Sequence, residues 1–242
     1  MFSGIVTNSD ATNIDGNLIA NLKWTGSYDG RSEAFNIRYE GAVAAIGSTD
    51  LILKNNYASG SQRVGYWVPG EDCTSTDTNY ENNVAAGNLM GVAVMIHDPI
   101  PYSCARYAGF TVFKNRDYGI YYNNMPSLEV KDNIFADNTA ALFPMVVEPN
   151  PLSHECSDKT ITLSDSIFIG FSSGSNCAGE TAATGTYINL SGHCRGPTGP
   201  NGESVGVLFP QFTGGGNNAP EKPCGNIMSY NTICGKMTMT SK

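Results

Sequence analysis

The chain has 242 residues, enough for one large domain or two small ones with a continuous core. Its 14 basic and 22 acidic residues leave a net charge of −8, and no cluster of Lys and Arg offsets it, which excludes a phosphate-tracking nucleic-acid groove. Charged residues are only 15% of the chain, too few for coiled coils or long solvent-facing helices, whereas 27 Gly and 24 Asn point to a chain dense in turns.

From the N-terminus, Met1-Phe2-Ser3-Gly4 has neither the basic nor the apolar stretch of a secretory leader. The longest apolar runs, Val92–Ile96 and Ala141–Val147 with Pro144 inside it, are strand-sized and far short of the ~20 residues that cross a bilayer. Apolar alternation at period two dominates, as in Ala42-x-Ala44-x-Ile46, Leu51-x-Leu53, Phe110-x-Val112, Leu128-x-Val130 and Ile161-x-Leu163. No stripe at period 3.6 runs far enough for a helix, so strands are predicted. Several of these pairs lead into a polar residue three places on: Asn56, Asn115, Asn133 and Ser166. A second short strand then opens on a small residue, at Gly65, Gly91, Gly119 and Ala141.

Those small residues are 26, 28 and 22 positions apart. A period of roughly 20–30 residues built from short strands and tight turns is the signature of a solenoid. The chain is therefore predicted to be all-β, a right-handed parallel β-helix, with Asn side chains laddering from coil to coil at the bends. The alternative is an antiparallel sandwich with Asn-rich turns, which shows turn signals every ~8–12 residues without a longer period on top. The expected organisation is a single domain over 1–242, with regular coils over 1–170, a loop-rich insertion over 171–223 and returning strands over 224–242. Inside the insertion Gly206-Val207-Leu208-Phe209 reads as a strand-like island, and Ile227–Tyr230 and Lys236–Thr240 read as strands resuming. Neither end shows a recognisable cap, so the chain is expected to be a piece of something longer.

The seven Cys are Cys73, Cys104, Cys156, Cys177, Cys194, Cys224 and Cys234. None forms Cys-x-x-Cys, which argues against a zinc knuckle or a redox pair, and scattered Cys in turn-like contexts suit an oxidising compartment. An odd number leaves at least one thiol unpaired within the chain or paired outside it. Asn189-Leu190-Ser191 is the only glycosylation sequon, so Asn189 is a candidate acceptor in a secreted chain.

The stretch Asn55-Asn56-Tyr57-Ala58-Ser59-Gly60-Ser61-Gln62-Arg63-Val64-Gly65-Tyr66 resembles the fibrocystin and fibrocystin-L family. So do Gly109-Phe110-Thr111-Val112-Phe113-Lys114-Asn115-Arg116-Asp117-Tyr118-Gly119, Val130-Lys131-Asp132-Asn133 with Asp137-Asn138, and Gly206-Val207-Leu208-Phe209-Pro210-Gln211-Phe212. The resemblance runs from about Gly41 to Thr238. It implies parallel β-helix repeats in the ectodomain of a very large, single-span surface glycoprotein of cilia and other cell surfaces. The family also carries a Cys in each of the loops holding Cys73 and Cys104. Loops on adjacent coils could bring these two within the ~5.5–6 Å Cα separation of a disulfide. Connectivity among Cys156, Cys177, Cys194, Cys224 and Cys234 stays open.

Two functions are weighed. The first is a non-catalytic structural or adhesive module of a fibrocystin-like surface protein, whose partners are other domains or copies of a larger protein, a fibrous assembly, or glycans. Nucleic acid and membrane insertion are not expected. The second is an extracellular polysaccharide-cleaving enzyme, hyaluronidase- or pectinase-like, since β-helix enzymes of that kind line carboxylates along one sheet. Its candidates are Asp117, Asp132 and Asp137, with Lys114, Arg116 and Lys131 nearby. Against it, Asp and Asn at bends also serve local backbone hydrogen bonds. Gly192-His193-Cys194 only distantly resembles the Gly-His-Gly of pectin hydrolases, without the aspartates that should precede it. His97 and His154 have no partner ligands at metal spacing, and metal binding by Glu71-Asp72 or other loop acids would be unspecific, without a calcium-loop pattern, so no cofactor is expected. Tyr118, Tyr121 and Tyr122 could stack on sugar rings or pack between coils.

Overall fold

The computed structural model describes residues 4–23, 41–95, 98–148 and 159–169, with three further strands at 205–207, 232–234 and 236–240. Among the described residues every regular element is a strand, and the strands pair almost entirely in parallel. The chain passes through the sheets in a repeating order. A first circuit places β1 (Ile5–Val6), β2 (Asn13–Asp15) and β3 (Leu18–Ala20) on a first, second and third sheet. The next lays β4 (Gly41–Ala44), β5 (Ile52–Lys54) and β6 (Tyr57–Ser59) directly beside them. The third contains β7 (Val64–Trp67), an extra strand β8 (Glu71–Asp72), β9 (Tyr80–Glu81) and β10 (Asn83–Ala86).

The fourth circuit is β11 (Met90–Val94), β12 (Cys104–Ala108) and β13 (Phe110–Phe113), and the fifth is β14 (Tyr118–Asn124), β15 (Ser127–Lys131) and β16 (Ile134–Ala136). The sixth is β17 (Ala140–Glu148), β18 (Thr160–Ser164) and β19 (Ile167–Ile169). Finally β20 (Val205–Val207) joins the first sheet beside β17, β21 (Thr232–Cys234) runs antiparallel to the end of β17, and β22 (Lys236–Thr240) extends the second sheet beside β18. The island expected near 206–207 and the strand expected at Lys236–Thr240 thus both extend sheets already begun. Residues 227–230 lie outside the described residues.

The first sheet runs β1-β4-β7-β11-β14-β17-β20 and the third β19-β16-β13-β10-β6-β3. The second sheet is split, with β2-β5-β9 in one part and β8-β12-β15-β18-β22 in the other. An all-β chain with parallel sheets is thus what the alternating pattern encodes: inward residues stack in register and outward ones do not need to be apolar. Val43, Tyr66, Val92, Ile120 and Leu142 form one inward column on the first sheet. Ile19, Ala58, Ala85, Val112 and Phe135 form another on the third. All of these side chains are buried, and each large one contributes roughly 1.5–3 kcal/mol from leaving water.

The column of small residues has a steric cause. A Cβ at Gly65 would stand 2.7 Å from the Gly91 carbonyl oxygen, and one at Gly91 would stand 2.5 Å from that of Gly119. One at Gly119 would collide with the Ala141 carbonyl oxygen. The obstacle is backbone in each case, so it cannot swing aside, and neighbouring strands approach there only without side chains.

Candidate functional site

Two bends recur from circuit to circuit, each at a single residue in the left-handed region. Between the second and third sheets these residues are Gly16, Asn55, Asn82, Gly109, Asp132 and Asp165, with φ from 51° to 70°. Between the third and first sheets they are Asn21, Gly60, Gly87, Lys114 and Asp137, with φ from 53° to 66°. Gly, Asn and Asp tolerate this region best, which is why these types recur.

The residue after each bend points inward, and here the amides form two separate ladders. At the first corner Asn17 donates to Asn56 Oδ1 and Asn56 to Asn83 Oδ1, at 2.9 and 3.1 Å from their side chains. Phe110 interrupts this ladder, its N–H donating to Asn133 Oδ1 at 2.8 Å, and Asn133 N–H then donates to the Ser166 hydroxyl at 3.2 Å. At the second corner the N–H groups of Ser61, Asn88 and Asn115 donate in turn to Asn88, Asn115 and Asn138 Oδ1 at 2.9–3.0 Å. The spacing seen in sequence merged these into one series, because Asn56, Asn133 and Ser166 belong to one corner and Asn115 to the other.

The three candidate carboxylates sit at these corners. Asp132 is the bend residue before β16 and Asp137 the bend residue after it, so a strand of the third sheet lies between them. Lys131 Nζ lies 3.9 Å from Asp132 Oδ2 in an exposed pair. Asp117 precedes β14; its N–H donates to Leu89 O and its carbonyl accepts from Ala140 N–H, each step joining one circuit to the next. The geometry gives Asp132 and Asp137 backbone duties at different corners rather than a shared groove on one sheet. Among the described residues no group of three or more His, Cys, Asp or Glu converges as a metal-holding set.

The break in the second sheet is filled by a strap. β8 pairs antiparallel with β12, and a disulfide joins Cys73 to Cys104 with the Cα atoms 5.5 Å apart. Glu71, buried beneath it, accepts from the N–H groups of Asn79 and Tyr80 at 2.5 and 3.0 Å through Oε1. Its Oε2 meets Arg106 Nε at 3.2 Å, and the same guanidinium donates to the carbonyls of Ser75 and Asp77, both at 3.0 Å. Burial, and then the Glu71 charge, push the Tyr80 phenol up. The Glu71–Arg106 contact was invisible in sequence, since 35 positions separate the two; the adjacent Cys pair was the one signal in that region.

Of the three tyrosines, Tyr122 faces the core, donating from its hydroxyl to Pro126 O at 2.9 Å. Tyr118 and Tyr121 lie on the outer face of the first sheet, half-buried, in a cluster with Val64, Met90 and Ala93. The Tyr121 ring stacks on Phe143 with centroids 5.1 Å apart and an interplanar angle of 4°. Nearby, Trp67 Nε1 donates to Asp98 Oδ2 at 2.8 Å, as does Met95 N–H at 2.6 Å. Cys156, Cys177, Cys194, Cys224 and Asn189 lie outside the described residues, as do His97, His154 and the 192–194 stretch; Cys234 falls in β21.

Repeated parallel circuits cornered by asparagine define a class of repetitive all-β protein. Two relatives place the chain within it more narrowly. Fibrocystin-L of Homo sapiens is 34% identical over 98% of this chain, and Fibrocystin-L of Mus musculus is 34% identical over 96%. Fibrocystin of Canis lupus familiaris is 29% identical over 84%. The chain belongs to the fibrocystin-like family, and it spans only 6% of the length of the Fibrocystin-L relatives. No family model matches the chain, and no solved structure matches it either.

Proposed function

We propose that the chain is a right-handed parallel β-helix that serves as a rigid, non-catalytic scaffold in the extracellular part of a large fibrocystin-like surface or ciliary glycoprotein. The right hand follows from the parallel crossovers between strands of one sheet, which take that hand in about 98% of cases. The observation that carries the scaffold reading is the use made of the polar side chains. The buried amides run along the stack in two ladders, and Asp132 and Asp137 are left-handed bend residues at different corners. A structure that spends its polar groups joining rung to rung is suited to transmitting position and load between neighbouring domains. No helix among the described residues is long and apolar enough to cross a membrane.

The test is incubation of the purified 242-residue chain with hyaluronan and with pectin, followed by viscometry and product sizing. Both polymers are expected to keep their length. Depolymerisation that disappears in Asp117→Asn, Asp132→Asn or Asp137→Asn would replace the scaffold with a polysaccharide-cleaving enzyme.

A further inference from the structure

The strap joins the third and fourth circuits at a step in the cross-section. The second-sheet strands β2, β5 and β9 have 3, 3 and 2 residues, whereas β12, β15 and β18 have 5 each. At this step β12 pairs on one side with β15 and on the other with β8, which sets Asp72 opposite Ala105 and Glu71 opposite Arg106. Continuing that register puts Cys73 opposite Cys104, and the Cys73 N–H donates to the Cys104 carbonyl at 3.3 Å. The disulfide therefore links directly opposed residues, and among the described residues it is the one covalent tie between circuits. The strap also has a seat that involves neither sulfur. Glu71 accepts from the N–H groups of Asn79 and Tyr80 and meets Arg106, which donates in turn to Ser75 O and Asp77 O. Tyr107 donates from its hydroxyl to Val68 O at 3.0 Å. At Gly70 a Cβ would stand 3.0 Å from the Tyr107 ring and 3.1 Å from the Arg106 carbonyl oxygen, so the strap lies flat on β12. Glu71 is 4% exposed, whereas Cys73 and Cys104 are half-buried and flanked by exposed Thr74 and Ser103, within reach of a dissolved thiolate.

We propose that the strap is a redox-sensitive latch with two locks in parallel, the Cys73–Cys104 bond bearing load and the Glu71–Arg106 network holding the strap in place at rest. The network is buried and self-contained, so opening the disulfide leaves the strap seated. The disulfide is the removable lock, and a small dithiol removes it by exchange. One thiolate of the dithiol attacks a Cys sulfur and displaces the other as a thiolate; the second thiol then closes the dithiol's own disulfide and releases the first sulfur. Cys73 and Cys104 are thereby reduced to thiols and the dithiol is oxidised. In the oxidised chain the span of 31 residues between the two sulfurs cannot extend under tension, whereas in the reduced chain it adds about 100–110 Å at ~3.3–3.6 Å per residue. Hydrogen bonds and an ion pair give way under a load that a covalent bond withstands, so the redox state decides whether the third and fourth circuits separate.

The latch rests on the scaffold reading, since a stop matters only in a part that bears load. The 242-residue chain, tethered by its two ends and stretched, is expected to release about 100–110 Å more after dithiothreitol treatment than before it. Cys73→Ser with Cys104→Ser should show the same gain without reductant, and it isolates this bond because the other five cysteines are unchanged. At rest, hydrogen exchange at the Asn79 and Tyr80 amides should stay within about tenfold of the oxidised chain in that double variant. Adding Arg106→Gln should then speed exchange at least about a hundredfold, and by far less in a chain that keeps the disulfide. Should Arg106→Gln lose its fold, Arg106→Lys, which keeps the charge but not the fork, is expected to fall in between. Amides that exchange freely once the disulfide is gone overturn the resting lock. A stretched length indifferent to the disulfide, or cysteines 73 and 104 that stay closed to alkylation in the folded chain under dithiothreitol, overturn the removable one. Failure of the scaffold reading shows separately, as glycan depolymerisation, and leaves exchange and alkylation unmoved.

Discussion

Asn115 serves three neighbours with one buried amide. Its Oδ1 accepts from Asn88 N–H at 3.0 Å, and its Nδ2 donates to Ala85 O at 3.1 Å and to Asn138 Oδ1 at 3.0 Å. Asn115→Ala strands a buried N–H and a buried carbonyl, and is expected to cost about 2–4 kcal/mol in urea unfolding with an unchanged m-value. A larger effect than the Ala substitution of an exposed bend residue such as Asn55 would tie the cost to the ladder. Gly91→Ala drives a Cβ into the Gly119 carbonyl oxygen and Val112 Cγ1, at 2.5 and 2.6 Å before relaxation, and should destabilise by roughly 2–4 kcal/mol in the same assay. Both residues were visible in the sequence as a recurring amide and a recurring small residue. Which corner each amide occupies was not, because one apolar-pair pattern precedes both bends, and only pairing in three dimensions separates them.

The strap between Trp67 and Tyr80 shows what element-scale patterning leaves out. Periodicity is blind to an insertion: β8 pairs antiparallel with β12 and splits the second sheet, while the first and third sheets continue unbroken. The Cys73–Cys104 disulfide closes a separation of 31 residues, and replacing both with Ser is expected to lower stability by about 2–4 kcal/mol. Arg106→Ala leaves Glu71 buried without its cation and should cost about 3–5 kcal/mol. Adding Glu71→Gln should recover part of that loss, since a neutral amide carries no unpaired charge into the break. A double-mutant cycle read by chemical denaturation checks this, and simple additivity of the two changes would show that the pair is uncoupled.

Across the whole molecule the fold class was legible because parallel stacking repeats one instruction at every circuit, and inward residues recur at matched positions from Ile19 to Phe135. The core also holds four tyrosines, Tyr66, Tyr80, Tyr107 and Tyr122, whose phenols burial pushes above the ordinary 10.0. Above about pH 10 the unfolded chain loses these protons while the folded chain keeps them, so the folded state binds more protons there. Stability is therefore fully present below pH 10 and falls as pH rises beyond it. The buried phenols should add their absorbance at 295 nm only together with loss of the circular dichroism signal; ionisation of all twelve tyrosines in a chain that stays folded would contradict it. The order of the circuits has a mechanical consequence. β1 and β22 lie at opposite ends of the succession, so tension entering through them meets hydrogen bonds one rung at a time. The released rung from Gly119 to Ala141, 22 residues, would pay out about 70–80 Å of chain at ~3.3–3.6 Å per residue, whereas the Cys73–Cys104 disulfide withholds the 31-residue span it closes. On the scaffold reading proposed above, such a molecule would yield in measured lengths while the remaining rungs stay intact.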